Sequence, residues 1–163
     1  MRNKEGALLA AAAAFVLVGA GSPAKLPAAV AKAVEENRPG AEIEKLEIEK
    51  EGGFKLYDIE FKNGRGEIEV AEDGTVLDVS DIVDMKDIPA AAAAAIQKEA
   101  GGRAIKQVEK SEVRAKIETE GGKGRLSKLA SPEYVYEAEL SKGEVEVAAD
   151  GRLIKGLKGE VKP

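Results

Sequence analysis

The stretch LPAAVAKAV, at residues 26–34, returns as IPAAAAAAI at residues 88–96. In both copies the apolar residues recur at intervals of three and four, which is the spacing of one face of an α-helix. A proline stands second in each copy, where the first turn of a helix accepts it. Each stretch is therefore predicted to form a short helix, and the chain is predicted to contain a duplication.

Two further landmarks recur downstream of these helices, in the same order. The segment YDIEF at 57–61 returns as YEAEL at 136–140, and EVAEDG at 69–74 returns as EVAADG at 146–151. Apolar and charged residues alternate in them, as in strands with one buried and one solvated face. The Asp-Gly pairs predict tight turns. We expect four antiparallel strands after each helix.

The predicted fold class is α+β, with two tandem helix-plus-four-strand units that share an antiparallel sheet and place their helices on one face. The first unit is expected at 25–84 and the second at 85–158, with a hairpin insertion near 110–132 in the second unit. The spacing of Ile43 and Leu46 breaks strict alternation, so a bulge or a late strand start is expected there.

The N-terminus has the pattern of a targeting segment. Arg2 and Lys4 precede an apolar run at 7–18, and small residues follow. This run is short for a membrane span but typical of a signal peptide. Residues 1–24 are therefore predicted to be a signal peptide and the protein to be periplasmic or secreted; the alternative is a buried or peripheral N-terminal helix.

Composition excludes several kinds of chemistry. The 163 residues include no Cys and no His, so the chain has no disulfide, no thiol nucleophile, no imidazole base and no zinc site of the usual ligand types. The formal net charge of −5 argues against a nucleic-acid partner. No enzyme activity, cofactor or metal is predicted.

The strand alternation predicts a charged sheet face opposite the helices. Eight carboxylates and two apolar residues are expected there as partner-binding residues: Leu56, Asp58, Glu60, Glu67, Glu69, Val135, Glu137, Glu139, Glu144 and Glu146. Such a surface could steer a basic protein partner. An ordinary solvated face remains the alternative, and the two apolar residues could equally be core residues at the rim.

The insertion carries a second candidate site. Lys123, Arg125 and Lys128 cluster around a glycine-rich tip, which could contact a partner. The alternative is a solvated hairpin end.

Two other functions use the same carboxylates. One is a periplasmic protein that binds a cation or a small ligand on the acidic face, although no EF-hand loop is present. The Asp73-Gly74 and Asp150-Gly151 pairs are better explained as turns. The other is a hydrolase that uses two carboxylates.

The helix, the Tyr-x-Ile/Ala-x-Phe/Leu strand and the Glu-Val-Ala-x-Asp-Gly endings together resemble PepSY-like domains, over residues 26–157. The likeness is strongest to tandem exported domains, similar in layout to beta-lactamase inhibitor protein. The resemblance implies a periplasmic or secreted protein that binds other proteins, with peptidase inhibition or regulation as one outcome that it leaves open, and it carries over no active-site residues. The predicted function is an exported, non-catalytic protein-binding module that acts through the open sheet face. Its partner, a peptidase or envelope protein, is not identified, and no membrane association is expected after signal removal.

Overall fold

The structure, a computed structural model, describes residues 16–17 and 26–156. Its helices and strands are β1 (Val16–Leu17), α1 (Ala28–Asn37), β2 (Ile43–Glu51), β3 (Phe54–Phe61), β4 (Glu67–Ala71), β5 (Val76–Ile82), α2 (Ala90–Ala100), β6 (Ile105–Glu120), β7 (Lys123–Leu140), β8 (Glu144–Ala148) and β9 (Leu153–Lys155). Short 3₁₀ turns occupy Lys62–Gly64 and Met85–Asp87. Apart from β1, the predicted signal peptide lies outside the described residues and stays a prediction.

The described strands form one antiparallel sheet, hydrogen-bonded in chain order from β1 to β9. The prediction of two tandem helix-plus-four-strand units is therefore wrong. β5 pairs with β6 from Asp78 opposite Val113 to Ile82 opposite Glu109, so the sheet runs without a break past the predicted unit boundary at residue 84. A repeat identifies local elements and predicts a shared sheet, but it does not specify the register in which the edge strands pair or that they form one continuous sheet.

Both helices pack on the same face of this sheet. The apolar stripe of α1 buries Val30, Ala33 and Val34 against aliphatic and aromatic side chains of β3 and β4. The stripe of α2 buries Ala92, Ile96 and Ala100 against β7 and β8. Burial of these stripes is the main force that holds each helix in place, because helices of this length are marginal in isolation.

The hairpin of β6 and β7 is much longer than its neighbours. Beyond Val113 and Glu133 the two strands continue as a ribbon that ends at Glu120 and Lys123. At its end, the Gly124 backbone N–H donates a 2.7 Å hydrogen bond to the Gly52 carbonyl in the β2–β3 turn. The ribbon therefore docks back onto the first part of the sheet.

The expected irregularity at the start of β2 is confirmed. The pairing of β2 with β3 shifts register between Ile43 and Lys45, and the pairing of β6 with β7 shifts between Ile105 and Gln107. Both shifts lie where a strand begins after a helix, and bulges of this kind bend the strand locally.

Candidate functional site

Alternation along the strands separates an apolar face from an acidic one. In β3, Tyr57, Ile59 and Phe61 belong to the buried core under α1, so Asp58 and Glu60 point to the opposite face. The pairing register then brings carboxylates of neighbouring strands together on that face.

A cavity of about 300 Å³ opens on this acidic face. We call it the acidic cavity; seven carboxylate residues line it: Asp58, Glu67, Glu69, Asp78, Glu109, Glu137 and Glu146. Ser80, Ser111, Val113 and Val135 complete its wall. Of the described residues, no lysine or arginine lines it, and none of the seven carboxylates forms an ion pair with another described residue.

The carboxylates face one another directly across the strands. Asp58 lies opposite Glu69, and Glu69 lies opposite Asp78 on its other side. In the second half of the sheet, Glu137 lies between Glu109 and Glu146. Like charges at directly opposite positions of a sheet are unfavourable, so the fold keeps an arrangement that costs stability.

Burial and mutual repulsion change the acidity of these groups. Burial, reinforced by neighbouring carboxylates, raises the pKa of Asp58 to about 6 and that of Glu67 to about 8. It raises the pKa of Glu137 to about 7, and burial also raises the pKa of Glu146. In each case removal of the carboxylate from water is the largest cause, because the charged form is the one that solvent stabilises.

Glu69 and Asp78 form a coupled pair at the centre of the first group. Burial raises the pKa of both, repulsion from Asp78 further raises that of Glu69, and the two side chains are hydrogen-bonded to each other. A hydrogen bond between two carboxyl groups requires a proton on one of them. The pair therefore holds a proton that an incoming cation could displace.

Glu109 is held in place by neutral donors. The Ser80 hydroxyl donates to its Oε2 at 3.2 Å, and the Gln107 amide donates to its Oε1 at 2.6 Å. These bonds orient the Glu109 side chain and bring no positive charge to it. The cavity thus combines a fixed acceptor with carboxyl groups that titrate near neutral pH.

Apart from Leu56, the sheet-face residues predicted from the sequence occupy three different environments. Asp58, Glu67, Glu69, Val135, Glu137 and Glu146 line the acidic cavity, as the alternation suggests. Glu60 lies at a small neighbouring depression with Lys45 and Glu47. Glu139 and Glu144 lie apart, at a second cavity of about 520 Å³, where they pair with Lys106 and Lys155.

Leu56 is a core residue in this structure. It is 1% exposed and packs with Ala71, Leu77 and Ala115, and Ile117 and Leu126 of the ribbon pack against this cluster. The ribbon thus covers the apolar part of the acidic face and leaves the acidic cavity uncovered.

The basic residues of the insertion do not form one cluster. Lys123 and Arg125 lie in the last residue pairs of the ribbon, and Arg125 Nη2 contacts Glu118 Oε2 at 2.7 Å. Lys128 lies further down the ribbon, opposite Ala115. The tip therefore presents two basic side chains, and one of them, Arg125, forms an ion pair with Glu118.

Two carboxylates of the cavity escaped the sequence analysis. Asp78 and Glu109 lie on β5 and β6, the two strands that join the halves of the sheet. The alternation of Asp78 and Ser80 with Leu77 and Val79 was visible in the sequence. The pairing of β5 with β6, which brings Asp78 and Glu109 into one cavity, was not.

The described carboxylates do not assemble into a set of metal ligands. Among the residues that the structure describes, no group of three or more Asp or Glu side chains is close enough to hold a metal ion. The two Asp-Gly pairs form turns, in which Asp73 accepts a hydrogen bond from the Thr75 N–H and Asp150 accepts one from the Arg152 N–H.

Comparison with known proteins identifies the fold but no family. No protein-family model and no curated protein matches the chain. A proposed periplasmic protein from Bacteroides eggerthii has a similar structure, with 10% identity and a TM-score of 0.54 over 80% of this chain and 87% of that one. A DUF2874 family protein from Bacteroides uniformis has 12% identity and a TM-score of 0.51 over 79% and 86% of the two chains.

A BLIP-like protein from Bacteroides fragilis shares 16% identity, with a TM-score of 0.45 over 83% of this chain and 89% of that one. At these identities the likeness concerns the fold alone, and the PepSY-like family is not confirmed. Within the described part of the chain, no helix has the length and apolar character needed to cross a membrane.

Proposed function

We propose that the protein is an exported, non-catalytic module that binds a basic segment of another protein in the acidic cavity. The single observation that carries this proposal is the accumulation of seven carboxylates around one cavity that no described lysine or arginine lines. If these positions contributed only to stability, a lysine or an amide at some of them would make the folded protein more stable.

The physical basis of binding is the exchange of protons for a cation. Near neutral pH the raised pKa values keep part of the cavity protonated, which limits repulsion in the free protein. A lysine or arginine of a partner that enters the cavity stabilises the charged carboxylates, lowers their pKa values and releases the protons. Binding is then charge-assisted in a partly desolvated site, where ion pairs contribute more than at an exposed surface.

Two further features support an exported binding module. The N-terminal pattern is that of a signal peptide, and a structural neighbour is described as periplasmic. The resemblance of the chain to PepSY-like proteins suggests a peptidase as the partner, with inhibition as the outcome. This finer assignment depends on the identity of the partner.

The proposal is tested by capture from an envelope extract of the source cells, with the exported protein as immobilised bait. The test variant is Glu67→Gln/Glu137→Gln, which removes two cavity charges. The matched control is Glu35→Gln/Glu120→Gln, which removes two charges from exposed positions on α1 and at the end of the ribbon. We expect a partner that the wild type and the control retain and that the cavity variant binds at least about tenfold more weakly.

Because the cavity substitutions remove like-charge repulsion, the test variant should fold at least as stably as the wild type, which separates lost binding from lost structure. A partner retained equally by both variants would contradict the proposal. Peptidase activity of the retained partner, assayed with and without added protein, then tests inhibition.

A further inference from the structure

Strand β2 leaves a long edge of the sheet largely unpaired. It has nine residues, and on its outer side the only described neighbour is β1, which pairs with just two of them, Glu47 and Ile48. The other end of the sheet is the three-residue strand β9. A long edge presents backbone N–H and C=O groups that can pair with another strand.

The sequence of β2 is self-complementary about its central residue. It reads IEKLEIEKE over 43–51, with Glu47 in the middle. In an antiparallel pair centred on Glu47, Leu46 of one copy faces Ile48 of the other, and Lys45 faces Glu49. Each match occurs twice by symmetry, and Glu44 and Lys50 extend the same charge pattern.

We propose that two copies of this chain form a symmetric dimer by antiparallel pairing of their β2 edges, with Glu47 of each copy at the two-fold axis. The pairing of β1 shows that this edge accepts an antiparallel strand at Glu47, because Leu17 lies directly opposite that residue. In the dimer, β2 of the second copy takes the place of β1 and pairs along much more of the edge. Because β1 belongs to the predicted signal peptide, it would cover part of this edge until export removes it.

The one unfavourable match in this dimer is Glu47 against Glu47. Its cost is limited by Lys45, whose Nζ lies 2.8 Å from Glu47 Oε1 in the same strand. The two glutamates at the axis would therefore have a lysine on either side. Two cross-strand Lys45–Glu49 pairs and two Leu46–Ile48 pairs outweigh this single contact.

The dimer does not cover the proposed binding site. No residue of β2 lines the acidic cavity, so the cavities stay open in the pair. Residues directly opposite each other on paired strands point to the same side of the sheet. Both cavities would consequently lie on one side of the dimer, which could engage a partner with two basic segments.

A charge-reversal experiment tests the register. Lys45→Glu places glutamate against Glu49 at both symmetric positions, and Glu49→Lys places lysine against Lys45. We expect each variant of the exported protein to weaken dimerisation about ten- to a hundredfold in sedimentation equilibrium. An equimolar mixture of the two variants restores complementary pairs and should recover a heterodimer. A wild type that stays monomeric, or single variants that dimerise as well as the wild type, would overturn the proposal.

A cross-linking experiment tests the axis and does not depend on affinity. The chain has no cysteine, so Glu47→Cys introduces a single thiol per copy. Directly opposite residues in an antiparallel pair lie about 4.5–5.5 Å apart between Cα atoms, which suits a disulfide. We expect Glu47→Cys to form a covalent dimer in air and the control Glu51→Cys to remain uncross-linked. Equal cross-linking of the two variants would refute pairing about Glu47.

Discussion

Each helix contacts the backbone of a hairpin turn at one glycine. A Cβ atom at Gly74 would lie 2.9 Å from the Ala29 carbonyl oxygen, and one at Gly151 would lie 2.7 Å from that of Ala91. Both glycines also have positive φ, +88° and +84°. The two Asp-Gly turns therefore do more than reverse the chain, because they let a helix lie directly on the end of the sheet.

This contact predicts a specific loss of stability for Gly74→Ala. Positive φ costs an L-residue about 1–2 kcal/mol, and overpacking against a helix backbone adds about 1–3 kcal/mol. The control is Gly53→Ala. Gly53 also has positive φ, +91°, but its added Cβ would have no atom within 4 Å, so this variant should lose only the stability that positive φ costs. Chemical denaturation of both variants measures the difference. Equal losses would mean that the turn does not restrain α1.

At the scale of elements, the long ribbon of β6 and β7 depends on a close approach of two glycines. A Cβ atom on Gly124 would lie 2.7 Å from Gly52 Cα, whereas one on Gly122 would meet nothing within 4 Å. Through this contact the ribbon places Ile117 and Leu126 over the buried Leu56. The docked ribbon is therefore what removes Leu56 from the binding surface.

Gly124→Ala is accordingly expected to loosen the ribbon while the rest of the sheet persists. A clash with backbone costs about 1–3 kcal/mol, which corresponds to roughly ten- to a hundredfold faster amide exchange in the ribbon. Hydrogen exchange read by mass spectrometry over 114–120 and 123–130 measures it, with Lys123→Ala, at an exposed position of the same ribbon, as the control. Unchanged exchange in the Gly124 variant would show that the ribbon needs no such contact.

The elements also show which parts of the fold local sequence patterns predict. The helical stripes at Val30 and Ile96 and the alternation around Ile59 follow from side-chain burial, which is local information, and they predict α1, α2 and β3. The joining of β5 to β6 is decided by edge hydrogen bonds between segments that are distant in the chain, so the two-unit division failed there. For the same reason, the predicted acidic face did not include Asp78 and Glu109.

The whole molecule contains a set of partly buried carboxylates whose pKa values are raised on folding. From their ordinary values of 3.8 and 4.5, the pKa of Asp58 rises to about 6, that of Glu137 to about 7 and that of Glu67 to about 8. The folded protein therefore binds more protons than the unfolded chain between about pH 4.5 and pH 8. Stability must fall with rising pH across that window, because the free energy of unfolding decreases when the native state holds the extra protons.

We expect the melting temperature to decline steadily from about pH 4.5 toward pH 8. Glu67→Gln/Glu137→Gln removes two of the groups that ionise in this window and should flatten the decline. The control Glu35→Gln/Glu120→Gln should leave its slope unchanged. Thermal unfolding at a series of pH values, at constant ionic strength, provides the measurement.

A partner that supplies a cation to the cavity should reverse the trend, since it stabilises the ionised carboxylates that the free protein disfavours. A flat profile in the wild type would mean that these carboxylates stay solvated, and the cavity would then lose the energetic reason for binding a cation.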